Sequence, residues 1–109
     1  MINVISSSRY KINRPLIKNE ASSYLDKLGF DGSATLNIVF IGKNKMKALA
    51  TTYKNEPVAL PVLSFKYSDI LAEIIICYPQ AVLLAAEREK RVDDMIIFLI
   101  KHGVETLFP

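Results

Sequence analysis

Val62-Leu63-Ser64-Phe65-Lys66-Tyr67-Ser68-Asp69-Ile70-Leu71-Ala72-Glu73-Ile74-Ile75-Ile76-Cys77 reads as two strands joined by a turn. Val62 to Tyr67 and Leu71 to Cys77 are runs of apolar, β-branched and aromatic residues, and the polar Ser68-Asp69 between them lets the chain reverse. Upstream, Thr35 to Ile41 (Thr-Leu-Asn-Ile-Val-Phe-Ile) has the length and β-branched content of a buried strand, closed by Gly42. A fourth strand begins with Ile2 and Val4 and ends in the run Ser6-Ser7-Ser8.

The intervening segments carry helical spacing. Asn13-Arg14-Pro15 predicts a helix start, because proline is tolerated in a first turn that has no use for its missing N–H. Ile17, Ala21, Tyr24, Leu25 and Leu28 then recur on one face, Gly29 supplies the stop, and Asp31-Gly32 turns the chain. Met46, Leu49, Ala50 and Tyr53 make the stripe of a second helix, with Tyr53 read as core. A loop containing Pro57 and Pro61 follows. Pro79 opens a third helix to about Glu89, and Glu87 to Asp94 is read as a charged connection. Val92, Met95, Ile96, Leu99 and Ile100 predict a last helix from Val92 to His102; Ile97 and Phe98 widen its apolar face, so it is expected to be buried on most sides. The order β-α-β-α-β-β-α-α predicts an α/β (α+β) fold, a single mixed sheet of about four strands covered by about four helices. One domain over residues 1–109 is expected.

Composition narrows the chemistry. With 109 residues, half of them hydrophobic, the chain has enough apolar surface for a core without staples. It has one cysteine, Cys77, and one histidine, His102. An intrachain disulfide is excluded, and a zinc site made of cysteine and histidine alone is nearly so, since such sites use three or four protein ligands. A Ser-His-Asp arrangement could use only His102. No glycine-rich nucleotide loop or nucleophile-elbow motif occurs. The longest apolar run, Ile74 to Ala86, is broken by Pro79 and Gln80 and too short to span a bilayer, and no signal peptide is evident. These features predict a cytoplasmic protein with no membrane partner.

The charge is uneven. Residues 1–66 carry ten Lys/Arg against four Asp/Glu, whereas residues 67–109 carry four against seven. No acid occurs between Asp31 and Glu56, so Lys43, Lys45, Lys47 and Lys54 make the second helix and its flank uniformly basic. Three of these lysines crowd the helix N-terminus, where cations are mildly unfavourable. The patch is read as a candidate contact for RNA phosphates, with a plain solvated lysine face as the alternative. Tyr53 and Tyr10 are weighed as stacking partners for unpaired bases. Cys77 is read as a small buried hydrophobe. Glu73 is left open between a cleft and a wet strand face. His102 is read as closing a buried helix against a backbone carbonyl or the helix C-terminus, with a metal role that bridges subunits as the alternative.

Four pieces of the chain resemble the YbeY family of bacterial rRNA maturation factors. Leu36 to Ile41 is followed by a helix ending in Tyr53-Lys54, where the family has Tyr-Arg. Val62-Leu63-Ser64-Phe65 matches the family's Val-Leu-Ser-Phe strand, and Leu71-Ala72-Glu73-Ile74-Ile75-Ile76-Cys77 is similar to Leu-Gly-Asp-Ile-Val-Ile-Cys. His102-Gly103 begins the motif H-G-x-x-H-x-x-x-x-x-H. The resemblance implies a four-stranded α/β fold and zinc-dependent, single-strand-specific endoribonuclease activity. It also implies a part in 16S rRNA 3′-end maturation and small-subunit assembly.

The departures are specific. Thr106 stands at the second metal histidine, and the third would fall beyond Pro109. Leu60-Pro61 replaces the usual Thr-Asp, and the loop between the last two strands looks shortened. Lys54 replaces the family arginine; it is the candidate catalytic residue and phosphate contact, without the arginine's bidentate fork. His102 is the one matching metal ligand, and no cofactor is expected on this chain although the family uses zinc. The expectation is therefore a protein that binds rRNA or the small ribosomal subunit, with hydrolysis reduced or lost. Two alternatives stand beside it: an active endoribonuclease in a shortened chain, and a protein-interaction module without nucleic-acid affinity.

Overall fold

The structure is a computed structural model and describes residues 1–30 and 32–108. Eight elements follow one another: β1 (Ile2–Ile5), α1 (Arg14–Lys27), β2 (Thr35–Ile41), α2 (Lys43–Lys54), β3 (Val62–Ser68), β4 (Leu71–Cys77), α3 (Tyr78–Glu87) and α4 (Val92–Leu107). The expected α/β architecture of four strands and four helices is observed. The turn predicted at Asp31-Gly32 falls on Asp31, outside the described residues.

The sheet has the order β1-β2-β4-β3. β1 pairs parallel with β2 and β2 parallel with β4, while β3 returns antiparallel to β4. Side chains alternate across a strand, so the register sorts the core into two layers. Leu36, Ile38 and Phe40 of β2 lie level with Ala72, Ile74 and Ile76 of β4 and pack under α1, α3 and α4. Ile41, Ile75, Cys77 and Leu63 point the other way and pack against Met46 of α2. Coverage on both faces explains why Ile74 to Cys77 are all buried and show no polar alternation.

Helix α1 begins as its sequence predicts. The Asn13 side chain accepts the Leu16 N–H at 3.1 Å, and Gly29, at φ +84°, takes the left-handed conformation that follows the last turn. Asn13→Ala is expected to cost about 1 kcal/mol, read as a lowered denaturation midpoint at unchanged m-value. No change would show that the cap carries nothing.

Several expectations are corrected. Helix α4 does not stop at His102 but continues to Leu107, because Val104 is buried and Leu107 packs onto the core beyond it. Its start takes in Asp93 and Asp94, which suit the positive end of a helix better than a connection. Burial is confined to one face, since Phe98 is 44% exposed beneath the charges of Arg88 and Lys90. Tyr53 is 61% exposed and not core. The β3–β4 turn sits one residue later than read, with the Ser68 hydroxyl accepting the Ile70 N–H at 3.2 Å.

Candidate nucleic-acid interface

Strand β3 is an edge of the sheet, and different helices flank its two faces. Val62 and Ser64 lie level with Ile76 and Ile74, on the α4 side. Phe65 lies opposite Glu73, on the α2 side. Helix α4 crosses the first of these faces at Gly103. A Cβ at Gly103 would sit 2.8 Å from Ser64 Oγ and 2.9 Å from Ile74 Cδ1, so only glycine lets the helix backbone lie this close to the strand. His102 and Thr106, one turn apart and therefore on one side of α4, are held beside β3 by this approach.

Helix α2 reaches the same place from the other layer. It ends at Lys54, and Asn55, at φ 55°, caps it in the left-handed conformation, after which the Glu56 backbone N–H donates to the Ala50 carbonyl at 3.2 Å. Lys54 thus meets Val62, Leu63, Ser64, His102 and Thr106 around a hollow of about 160 Å³. Of the residues singled out from sequence, the structure brings together Lys54 and His102. It leaves Lys43, Lys45 and Lys47 at the far end of α2, roughly 10–16 Å along the helix axis from Lys54.

The hollow is rich in donors. It offers an ammonium, an imidazole and the Ser64 hydroxyl, and no carboxylate lines it among the described residues. Thr106 Oγ1 donates to the His102 carbonyl at 3.0 Å. His102 is exposed and lies inside the helix, so it does not close α4 as expected. Glu105, three residues along α4 from His102, and Cys77 are both engaged elsewhere. Glu105 accepts a hydrogen bond from the Tyr24 hydroxyl, which pushes the Tyr24 pKa up. Cys77 is buried under α2, and burial raises its thiol, opposed by the Gln80 backbone and the Lys43 charge. Among the described residues no three His, Cys, Asp or Glu side chains come together where they could hold a metal.

The lysines of α2 are exposed and free. Among the described residues the ion pairs are Lys66–Asp69 and Lys101–Glu20, and neither involves Lys43, Lys45, Lys47 or Lys54. Next to Lys54, at the last turn of α2, begins an aromatic strip that the sequence reading did not assemble. Tyr53 meets Phe65 edge-on at 5.1 Å between centroids, and Phe65 stacks with Tyr67 at 6.4 Å. Tyr67 is 59% exposed, and its hydroxyl donates to Glu73 Oε1 at 3.1 Å. Burial and the Glu73 carboxylate both raise the Tyr67 pKa, holding it as a neutral donor. The signal for this strip was the alternation Phe65, Tyr67 on one face of β3. Tyr10 is engaged instead, stacked on Tyr78 at 4.7 Å with its hydroxyl against Gly42. A larger hollow of about 330 Å³, among Leu25, Phe30, Ile70 and Phe108, contains none of the candidate residues.

A mixed four-stranded sheet with this hollow at its edge strand belongs to a recognisable class. A family model described as "Endoribonuclease YbeY" matches residues 4–107. An Endoribonuclease YbeY of Dehalococcoides mccartyi is 31% identical over 94% of this chain and 73% of its own length. One of Clavibacter sepedonicus is 26% identical over 94% of this chain and 76% of its own. The solution structure of TM1509 from Thermotoga maritima superposes with a TM-score of 0.68 at 18% identity, covering 95% of this chain and 69% of that one, a likeness of fold. The chain belongs to the YbeY family.

Proposed function

We propose that this chain is an RNA-binding YbeY-family protein of rRNA maturation and small-subunit assembly, acting in the cytoplasm as one domain, with metal-dependent hydrolysis reduced or lost. The observation that carries this reading is the hollow over β3. His102 and Thr106 occupy two positions one helical turn apart, where a pair of histidines could grip one ion, but the second is an alcohol. A neutral hydroxyl is a poor zinc ligand, and the remaining lining groups, Lys54 and Ser64, do not improve the set.

The RNA side of the reading rests on the lysines of α2, which have no ion pair among the described residues, and on the rings of Tyr53 and Tyr67 near its last turn. Lysines supply non-specific attraction to phosphates, and exposed aromatic rings give unpaired bases a surface to stack on. Lys54 is the residue proposed to contact phosphate at the hollow.

Mobility and cleavage of single-stranded rRNA fragments, with and without added zinc, test both halves. Retarded mobility without cleavage is expected. Zinc-stimulated cleavage would overturn the loss of hydrolysis and favour an active endoribonuclease, as the family name suggests. Absence of binding would overturn the RNA reading and leave the protein-interaction module. Stacking on an aromatic ring is worth about 1–3 kcal/mol per base, so Tyr53→Ala combined with Tyr67→Ala should weaken oligonucleotide binding on the order of tenfold or more. Binding of heparin, which has no bases, should be unchanged; an equal loss for both would show that the rings do not stack.

A further inference from the structure

We infer that the hollow formed by Lys54, Ser64, His102 and Thr106 is a seat for a phosphate group rather than for a divalent cation. The inference rests on the RNA reading for the source of the phosphate, a nucleotide backbone, but not for the chemistry of the seat. That chemistry follows from the donor inventory. A lysine ammonium has three donors and no acceptor, an imidazole offers an N–H, and a serine hydroxyl rotates to suit its partner. None of the three side chains Lys54, Ser64 and His102 is committed to an ion pair or side-chain hydrogen bond among the described residues. Thr106, whose proton is already given to the His102 carbonyl, serves as the wall that closes the hollow on the α4 side.

A cation would meet the opposite situation. Among the described residues one imidazole is the only customary metal ligand lining the hollow, and the neighbouring ammonium repels a divalent ion. An anion is attracted by the same ammonium, and among the described residues no carboxylate lines the hollow to oppose it. The volume, about 160 Å³, takes a phosphate group with accompanying water. Placement fits a backbone phosphate as well. Tyr53 and Lys54, adjacent in the last turn of α2, have different surroundings: Tyr53 meets Phe65, whereas Lys54 lines the hollow with Ser64. A single strand crossing this edge would set a phosphate in the hollow while a neighbouring base reaches the aromatic strip.

The test is a two-dimensional amide NMR titration of the full chain, first with inorganic phosphate and separately with zinc chloride, at matched ionic strength. Phosphate should give saturable shifts confined to Lys54, Val62 to Ser64 and His102 to Thr106. Lys54→Gln and His102→Gln should each weaken that binding about fivefold or more, and Ser64→Ala about twofold. The wild-type pattern of dispersed peaks in each variant shows that it is folded. Shifts spread over all the lysines, or a hollow that responds to zinc and ignores phosphate, would overturn the seat. Oligonucleotide binding that survives while phosphate leaves the hollow unmoved would sink the seat and keep the RNA reading. Seated phosphate with no oligonucleotide binding would keep the seat and assign it to a free phosphate instead.

Discussion

Gly103→Ala is expected to lower the unfolding free energy by about 1–2 kcal/mol, against the direction that helix propensity alone requires. Alanine in a helix interior is favoured over glycine by roughly 1 kcal/mol. Position 103 lies well inside α4, so an alanine there would ordinarily stabilise. The added methyl, however, would stand 2.9 Å from Ile74 Cδ1 and 3.1 Å from its Cγ2, as well as 2.8 Å from Ser64 Oγ. Ile74 is fully buried under the helix layer. Forcing a methyl into a closed core costs about 1–3 kcal/mol. Three contacts at or below 3.1 Å put this site toward the upper end, about 2–3 kcal/mol, so that about 1–2 kcal/mol of loss remains after the gain in propensity. The net loss should lower the melting temperature by roughly 4–10 °C. Gly32→Ala, where a Cβ would meet nothing within 4 Å, serves as the control and should be within about 0.5 kcal/mol of neutral. A Gly103→Ala variant more stable than the parent would sink the close-approach account of α4 on β3.

Neutralising Lys43, Lys45 and Lys47 together should weaken single-stranded RNA binding on the order of tenfold to a hundredfold near physiological salt. For single strands the logarithm of the binding constant falls with the logarithm of salt by about 0.7 per phosphate contact. Losing three contacts should therefore flatten that slope by about 2. The stability of the chain should move the other way. All three lysines lie in the first turns of α2, where the helix dipole opposes positive charge by a few tenths of a kcal/mol each. Glutamine at these positions should leave the melting temperature unchanged or slightly raised. Weaker binding with undiminished stability separates a lost contact from a damaged fold. An unchanged salt slope would show that these lysines face solvent only.

The strands were the most legible part of the chain. β2 and β4 were readable to the residue because both are covered on two faces, and such strands are written as continuous apolar runs. Helix ends were less so. A glycine after His102 reads as a stop, and only the separation between α4 and Ile74 reveals that Gly103 serves packing instead. Tyr53 continues the stripe of Met46, Leu49 and Ala50, but the last turn of α2 overhangs the sheet edge, where that face meets solvent. Spacing along one helix cannot register where its neighbouring strand ends. The hollow was legible in part: His102 and Lys54 were singled out, through resemblance as much as chemistry. Ser64 as a donor and Tyr67 as a ring beside Tyr53 follow only from which face of β3 each occupies, and alternation does not say which face is which.

Strand β3 hydrogen-bonds to β4 along one side alone. Among the described residues no strand pairs with its other side, and such an edge in principle templates the addition of another chain and growth into aggregates. The strand is poorly suited to such growth. Its pairing with β4 slips between Lys66 and Ser68, which breaks the even spacing a second strand would have to match, and Lys66 sets a charge on that stretch. Pro61 precedes its first residue and offers no N–H to extend the ladder. The floor of the hollow can thus lie at an open sheet edge, reachable by a flexible polymer, while irregularity at both ends of β3 discourages the protein from pairing with copies of itself.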